Sequence, residues 1–110
     1  MDVVNGGEET AAWCVYIIQA DDGALYTGIT SDMEKRWMQH MKMAAGGRKG
    51  AKFFRARKPE LLVFYRPGFD RASATRYEIA VKKLSRSKKL ELIRSDRNLL
   101  ESASFTPPRD

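Results

Sequence analysis

The sequence predicts an α/β (α+β) sandwich, a small three-stranded antiparallel sheet flanked by helices. Three observations lead there. Two short alternating stretches rich in β-branched and aromatic residues meet at Asp21-Asp22-Gly23, a hairpin signal because glycine accepts the positive φ such turns need. A third such run, ELLVFYR at 60–66, stands alone. Helical periodicity follows the second and third runs, and three strands so spaced do not make a doubly wound parallel sheet.

The elements follow in order. Residues 1–12, MDVVNGGEETAA, are acidic and aperiodic, and read as a flexible leader; they lack the charged start and apolar core of a secretory signal. Strands are expected over 14–19 and 24–29. Both Tyr16 and Tyr26 lie an even number of residues from the turn's edges, which sets their rings on one face. Ser31 and Glu34 fit a capping box opening a helix that runs to about Ala45 and stops at Gly46-Gly47. At about 100° per residue, Met33, Trp37, Met41 and Ala44 form its apolar stripe, with Arg36 and His40 at the rim. The third strand, 60–66, is ended by Pro67-Gly68. Asp70 caps a helix over 71–84, whose stripe is Ala74, Tyr77, Val81 and Leu84 with Ala80 alongside and Glu78 at the edge. A short helix over 86–94 turns Leu90 and Ile93 inward, and residues from Asp96 read as loop or disorder. The chain thus divides into a leader (1–12), one domain (13–95) and a tail (96–110), since 110 residues are enough for a single core but not two.

Composition narrows the classes. One cysteine, Cys14, excludes an internal disulfide or a thiolate zinc cluster, and inside a strand it reads as a small core residue. With a single histidine besides, a transition-metal site is nearly excluded. No apolar run approaches the roughly twenty residues of a membrane span, so a cytoplasmic protein without a membrane partner is expected. Charge is unevenly placed. Residues 1–46 hold three Lys/Arg against seven Asp/Glu, whereas residues 47–95 hold fifteen against four. Arg48, Lys49, Lys52, Arg55, Arg57 and Lys58 crowd into eleven positions around Phe53 and Phe54. Such a surface fits a polyanion, the cations gripping phosphates; the plainer reading is a solvated lysine-rich face. The two phenylalanines are assigned to the core.

The chemistry-bearing residues are few: there is no Ser-His-Asp order, no HExxH and no glycine-rich phosphate loop. What remains is two phenols on one face, Tyr16 and Tyr26, a guanidinium and an imidazole four residues apart, Arg36 and His40, and the carboxylate of Glu78. Each has an ordinary alternative. Strand tyrosines usually pack with the hydroxyl at the surface, Arg36 and His40 could line a helix surface, and Glu78 could pair with Lys82.

Val15-Tyr16-Ile17 and, ten residues on, Tyr26-Thr27-Gly28 resemble the GIY-YIG nuclease domain, named for two tyrosine-bearing segments on neighbouring strands. The resemblance covers about residues 13–95 and is closest to the small stand-alone branch. Two positions depart: the first motif reads Cys14-Val15-Tyr16 in place of Gly-Ile-Tyr, and Thr27 stands where isoleucine names the second. All five chemistry-bearing residues match the family's set in order, and the fold expected from pattern is similar to the family's.

The resemblance implies metal-assisted hydrolysis of phosphodiester bonds: a magnesium-dependent endonuclease acting on DNA, in repair or recombination. Tyr16 is the expected base and Tyr26 positions water or phosphate, an order the sequence alone does not rank. Arg36 grips the phosphate through two parallel bonds. His40 bonds a tyrosine or relays a proton. Glu78 holds one hard ion, Mg2+ or Mn2+, that keeps much of its water. A polar residue near the C-terminal end, often asparagine in the family, has Asn98 as its only candidate; it lies in the tail and is left outside the site. The alternative is a nucleic-acid-binding module with the same fold and basic face but little or no cleavage, and a weaker one is a protein-interaction domain meeting an acidic partner.

Overall fold

The computed structural model describes residues 12–103, 105 and 107; the leader expected over 1–12 therefore lies outside the described residues except for Ala12. Strands β1 (Trp13–Ala20), β2 (Leu25–Thr30) and β3 (Pro59–Phe69) form one antiparallel sheet in the order β2-β1-β3. Helix α1 (Met33–Ala44) follows β2, a short 3-10 turn (Lys52–Arg55) precedes β3, and helices α2 (Arg71–Lys82) and α3 (Arg86–Ile93) follow β3. The expected α+β sandwich is the observed fold.

β1 sits between the other two strands, and its alternation divides the interior in two. Cys14, Tyr16, Ile18 and Ala20 pack beneath α1 and the 3-10 turn, against Met33, Trp37, Met43, Phe54 and Leu62. Val15 and Ile17 point the other way, into a cluster with Phe64 of β3 and Ala74 and Val81 of α2. The hairpin turn forms where expected, with Gly23 at φ +87° and the Ala20 N–H donating to the Ala24 carbonyl. In the register Tyr16 faces Gly28 and Ile18 faces Tyr26, so the two tyrosines are diagonal neighbours on one face.

Four local expectations are corrected. The cap of α1 is Asp32, whose carboxylate accepts from the Lys35 N–H (3.1 Å) while Thr30 Oγ1 accepts from the Asp32 N–H (3.0 Å); this shifts the start by one residue from Ser31. β3 does not end at Pro67-Gly68 but runs to Phe69. The register slips by one residue there, with Arg66 opposite Val15 and Phe69 opposite Trp13, and Gly68 takes φ +95°. On an edge strand a proline costs little, and glycine supplies the bulge conformation. In α3 it is Leu92 and Ile93, rather than Leu90, that pack against the core. Beyond Ser95, Asn98, Leu99, Leu100 and Phe105 are held against the sheet and its α1-side cluster. The Leu99 N–H donates to the Tyr65 carbonyl (2.8 Å), and Leu100 and Phe105 pack on the α1-side cluster.

Asn98 ties this segment to β3 with every donor and acceptor of its amide. Nδ2 donates to the Val63 and Ile93 carbonyls (2.8 and 2.9 Å), and Oδ1 accepts from the Tyr65 and Leu100 N–H groups (both 3.1 Å). A half-buried amide satisfied on all sides is a structural clamp. No helix among the described residues is long and apolar enough to cross a membrane.

Candidate active site

The site grows from the α1 face of the hairpin. Tyr16 is fully buried, and its ring rests over Gly28: a Cβ at that position would stand 2.5 Å from Tyr16 Oη and 2.6 Å from Cζ. Only glycine leaves room for the phenol, which gives the second motif's glycine a steric reason. Thr27 turns the other way and is buried, its hydroxyl without a partner among the described residues.

His40 is also fully buried. The rim position expected for it on α1 is corrected: Met33, Trp37 and His40 follow the i, i+4, i+7 spacing of a helix stripe and all three turn inward. Burial is tolerated because both ring nitrogens are satisfied. Nε2 lies 2.8 Å from Tyr16 Oη, and Nδ1 accepts from the Ala51 N–H at 3.2 Å. Tyr26, Phe53 and Phe54 wall the pair: ring centroids lie 5.4 Å apart for Tyr26 and His40, 4.6 Å for His40 and Phe54, and 6.2 Å for the two tyrosines. Phe54 belongs to the core and Phe53 packs against it, as assigned from sequence.

Burial decides the protonation states. It drives the Tyr16 hydroxyl well above the ordinary phenol range; nearby Tyr26 adds to this, and the Arg36 guanidinium pulls part of the way back. The same burial, helped by the charge of Arg36, lowers His40 to about 4. His40 is therefore neutral near pH 7. It acts on Tyr16 as a hydrogen-bonding group and not through a positive charge. Cys14 is pushed up to about 11 by burial, which leaves its thiol protonated and inert.

Arg36 is half-buried at the rim, where it was expected. Its Nη1 donates to Gln39 Oε1 (2.8 Å) and to the Lys49 carbonyl (3.0 Å), both neutral acceptors that orient the guanidinium without cancelling its charge. Glu78 does not join the aromatic cluster. It stands on α2, the helix of the opposite face, with its carboxylate 3.1 Å from Lys82 Nζ; that ammonium in turn lies 6.0 Å from the Tyr26 ring centroid. Glu78 is thus linked to Tyr26 through Lys82. No group of three or more His, Cys, Asp and Glu among the described residues could enclose a metal ion. A single, mostly buried carboxylate fits an ion that keeps its own water, as Mg2+ does, and does not fit a fully protein-enclosed one.

The basic segment divides. Arg48, Lys49, Lys52, Arg55 and Lys58 are exposed, whereas Arg57 is half-buried, bound to Asp22 at 2.8 Å and stacked 4.6 Å over the Phe53 ring. Lys58 is also joined to the hairpin turn by its backbone: its N–H donates to Asp21 Oδ1, and its carbonyl accepts from the Asp21 N–H. Three further groups build the site without having been expected there: Gln39, the Lys49 carbonyl and the Ala51 N–H. The signal that could have pointed to them is the pair Gly47 and Gly50, where backbone approaches helix. A Cβ on Gly50 would stand 2.5 Å from the Gln39 carbonyl oxygen and 2.7 Å from Met43 Cβ.

Two phenols from paired strands thus stand beside an arginine and a histidine of the next helix. Residues 12–91 match the GIY-YIG catalytic domain, and the chain belongs to that family, whose members define a nuclease-type function. Within it, the chain is similar to the small single-domain UPF0213 proteins. It is 42% identical over 84 residues to UPF0213 protein DP2720 of Desulfotalea psychrophila, covering 76% of this chain and 73% of that one. To UPF0213 protein YhbQ of Escherichia coli it is 42% identical over 81 residues, covering 74% of this chain and 76% of the other. The solution structure of UPF0213 protein BH0048 of Bacillus halodurans overlays with a TM-score of 0.49 at 31% identity, covering 86% of this chain and 98% of that one.

Proposed function

We propose that the protein is a metal-dependent endonuclease that hydrolyses phosphodiester bonds of DNA, working in the cytoplasm in repair or recombination. The observation that carries this reading is the buried Tyr16–His40 pair with Arg36 beside it, next to five exposed cations. A packing tyrosine usually keeps its hydroxyl at the surface or bonds it to a plain polar partner. Here the hydroxyl is buried against a neutral imidazole, with a guanidinium pulling it toward the ionised form.

The chemistry follows from these groups. Arg48, Lys49, Lys52, Arg55 and Lys58 hold the strand by its phosphates, with Arg57 supporting them from its place against Asp22. Arg36 binds the equatorial oxygens of the scissile phosphate. Ionised Tyr16 takes a proton from water; the resulting hydroxide forms a new P–O bond as the bond to the leaving oxygen breaks, and solvent protonates that oxygen. Tyr26 orients the water or the phosphate. Glu78 holds the ion, and bound Mg2+ or Mn2+ supplies Lewis acidity for charge on the phosphate and the leaving group.

Two observations favour the second reading, a binding module that cuts little: Glu78 is already paired with Lys82, and burial holds Tyr16 in its protonated form. Incubating supercoiled plasmid with the protein, with Mg2+, with Mn2+ and with chelator, separates the two. Nicking that chelator abolishes supports the nuclease. Retention of plasmid without nicking under any of these conditions would leave the binding module.

A further inference from the structure

The Ala51 N–H determines where the proton sits on His40. A backbone N–H can only donate, so Nδ1, which receives it at 3.2 Å, carries no hydrogen. A neutral imidazole with Nδ1 free bears its proton on Nε2. That nitrogen faces Tyr16 Oη at 2.8 Å, so the hydrogen bond runs from histidine to tyrosine. The reverse direction would need a proton on Nδ1 and set two hydrogens against each other between that nitrogen and Ala51. An imidazolium would do the same, in keeping with the lowered basicity of the ring.

We infer that the loop bearing the basic residues also fixes the site's protonation: Ala51 holds His40 as the Nε2–H tautomer, and His40 donates to Tyr16 Oη and stabilises the phenolate without taking its proton. Ala51 and Gly50 are then positioning residues. Gly50 lets the backbone close on α1, where a side chain would meet the Gln39 carbonyl and Met43. One residue earlier the Lys49 carbonyl orients Arg36. Three consecutive residues thus align both α1 groups, and they lie between Arg48 and Lys52, which are exposed to meet phosphate. His40 meets Tyr16 from β1, Tyr26 from β2, Phe54 from the 3-10 turn, and the charge of Arg36 on its own helix. The benefit to the phenolate rests on the proposed nuclease reading; the tautomer does not.

His40 is the chain's one histidine, so the ring-nitrogen spectrum of the 15N-labelled protein, made without a histidine tag, reports this site alone. The expected result near neutral pH is an unprotonated Nδ1 and a protonated Nε2. A protonated Nδ1, or averaged signals of exchanging tautomers, would overturn the inference. Ala51 has φ −69°, within the range of proline, so Ala51→Pro removes the donor at a backbone angle it already adopts. The signals should then move toward a tautomer mixture, and kcat should fall with KM little changed. The fall should stay below the roughly 10²–10³-fold cost of removing a donor to a catalytic anion outright, since Ala51 acts only through His40. His40→Gln can still donate from its amide, whereas His40→Glu, when ionised, can only accept. Gln should therefore retain most of the rate and Glu should lose about 10²-fold or more. Equal rates in the two would overturn the donor role. If the wild type never cuts plasmid, the nuclease reading and the donor role built on it fall, and the wild-type spectrum alone decides the tautomer.

Discussion

The two faces of β1 are made by neighbouring residues, yet they are interiors of different kinds. Val15 and Ile17 enter a cluster of Phe64, Ala74 and Val81, where Thr27, opposite Ile17, brings a buried hydroxyl but no titratable group. Tyr16, between them in sequence, enters a face where a phenol, an imidazole and a backbone N–H form a buried row. The cluster of the first face contributes stability, through area withdrawn from water. The second also buries apolar rings, but it gives up part of that gain to hold polar groups in shifted protonation states. Alternation along one strand therefore separates a stabilising face from a chemical one, and substitutions should separate the same way.

The largest change in the folded state should come from Ile17→Ala. Deleting a buried aliphatic side chain costs about 2–5 kcal/mol, measured as a fall in unfolding free energy in urea. The rate per folded molecule should stay at the wild-type value, because the side chain faces away from the site; a matching loss of rate would merge the two faces. Acid should act on the other face. His40 titrates at about 4 in the fold against an ordinary value of 6.5. Between these values the unfolded chain binds more protons than the folded one, so this contribution is complete above pH 6.5 and is lost as the pH falls through about 4. The window amounts to about 3 kcal/mol. His40→Gln should flatten that part of the stability–pH curve, and an unchanged curve would contradict this assignment.

How much of this was legible in the sequence follows from the physics of each part. The hairpin and the shared face of Tyr16 and Tyr26 came from alternation, which is local and survives folding. Burial of His40 was not legible, because a polar residue in a stripe is normally kept out by its desolvation cost. What offsets that cost is the Ala51 N–H, eleven residues away and delivered by a loop with no pattern of its own. The clamping role of Asn98 was hidden for a related reason: three of its four bonds go to groups of β3 and α3 that no local signal connects to it. β3 passes through Pro67-Gly68 because it is an edge strand, a property of sheet order that its own residues do not state.

Smaller effects on the fold test the groups that bring substrate and ion to the chemical face. Glu78→Gln keeps the size of the side chain and removes a charge whose i,i+4 partner, Lys82, is half-exposed, so the pairing adds little to stability. Cleavage should be lost while DNA affinity and melting temperature stay near wild type; wild-type cutting would remove Glu78 from the mechanism. Least of all should the fold respond to replacing Lys49, Lys52 and Arg55 together by Ala, since these side chains are exposed and the Lys49 carbonyl that holds Arg36 remains. Affinity should fall, and its log–log salt slope should shrink by about 0.9 for each phosphate of duplex DNA that is no longer neutralised. An unchanged slope would make the segment solvated surface.

The most direct measurement is the single-turnover cleavage rate of Tyr16→Phe at saturating DNA and Mg2+. The ring stays over Gly28, and only the hydroxyl is removed. His40 then keeps a buried donor without its partner, at a cost of about 1–3 kcal/mol in stability, so rates are compared where both proteins are fully folded. If Tyr16 is the base, the rate should be lower by about 10²–10⁴, the range that general-base catalysis supplies. The rise in activity toward alkaline pH that ionisation of a raised phenol gives the wild type should vanish with it, and Tyr26→Phe should show a smaller deficit. A wild-type rate in Tyr16→Phe would contradict the assignment of Tyr16 as the base.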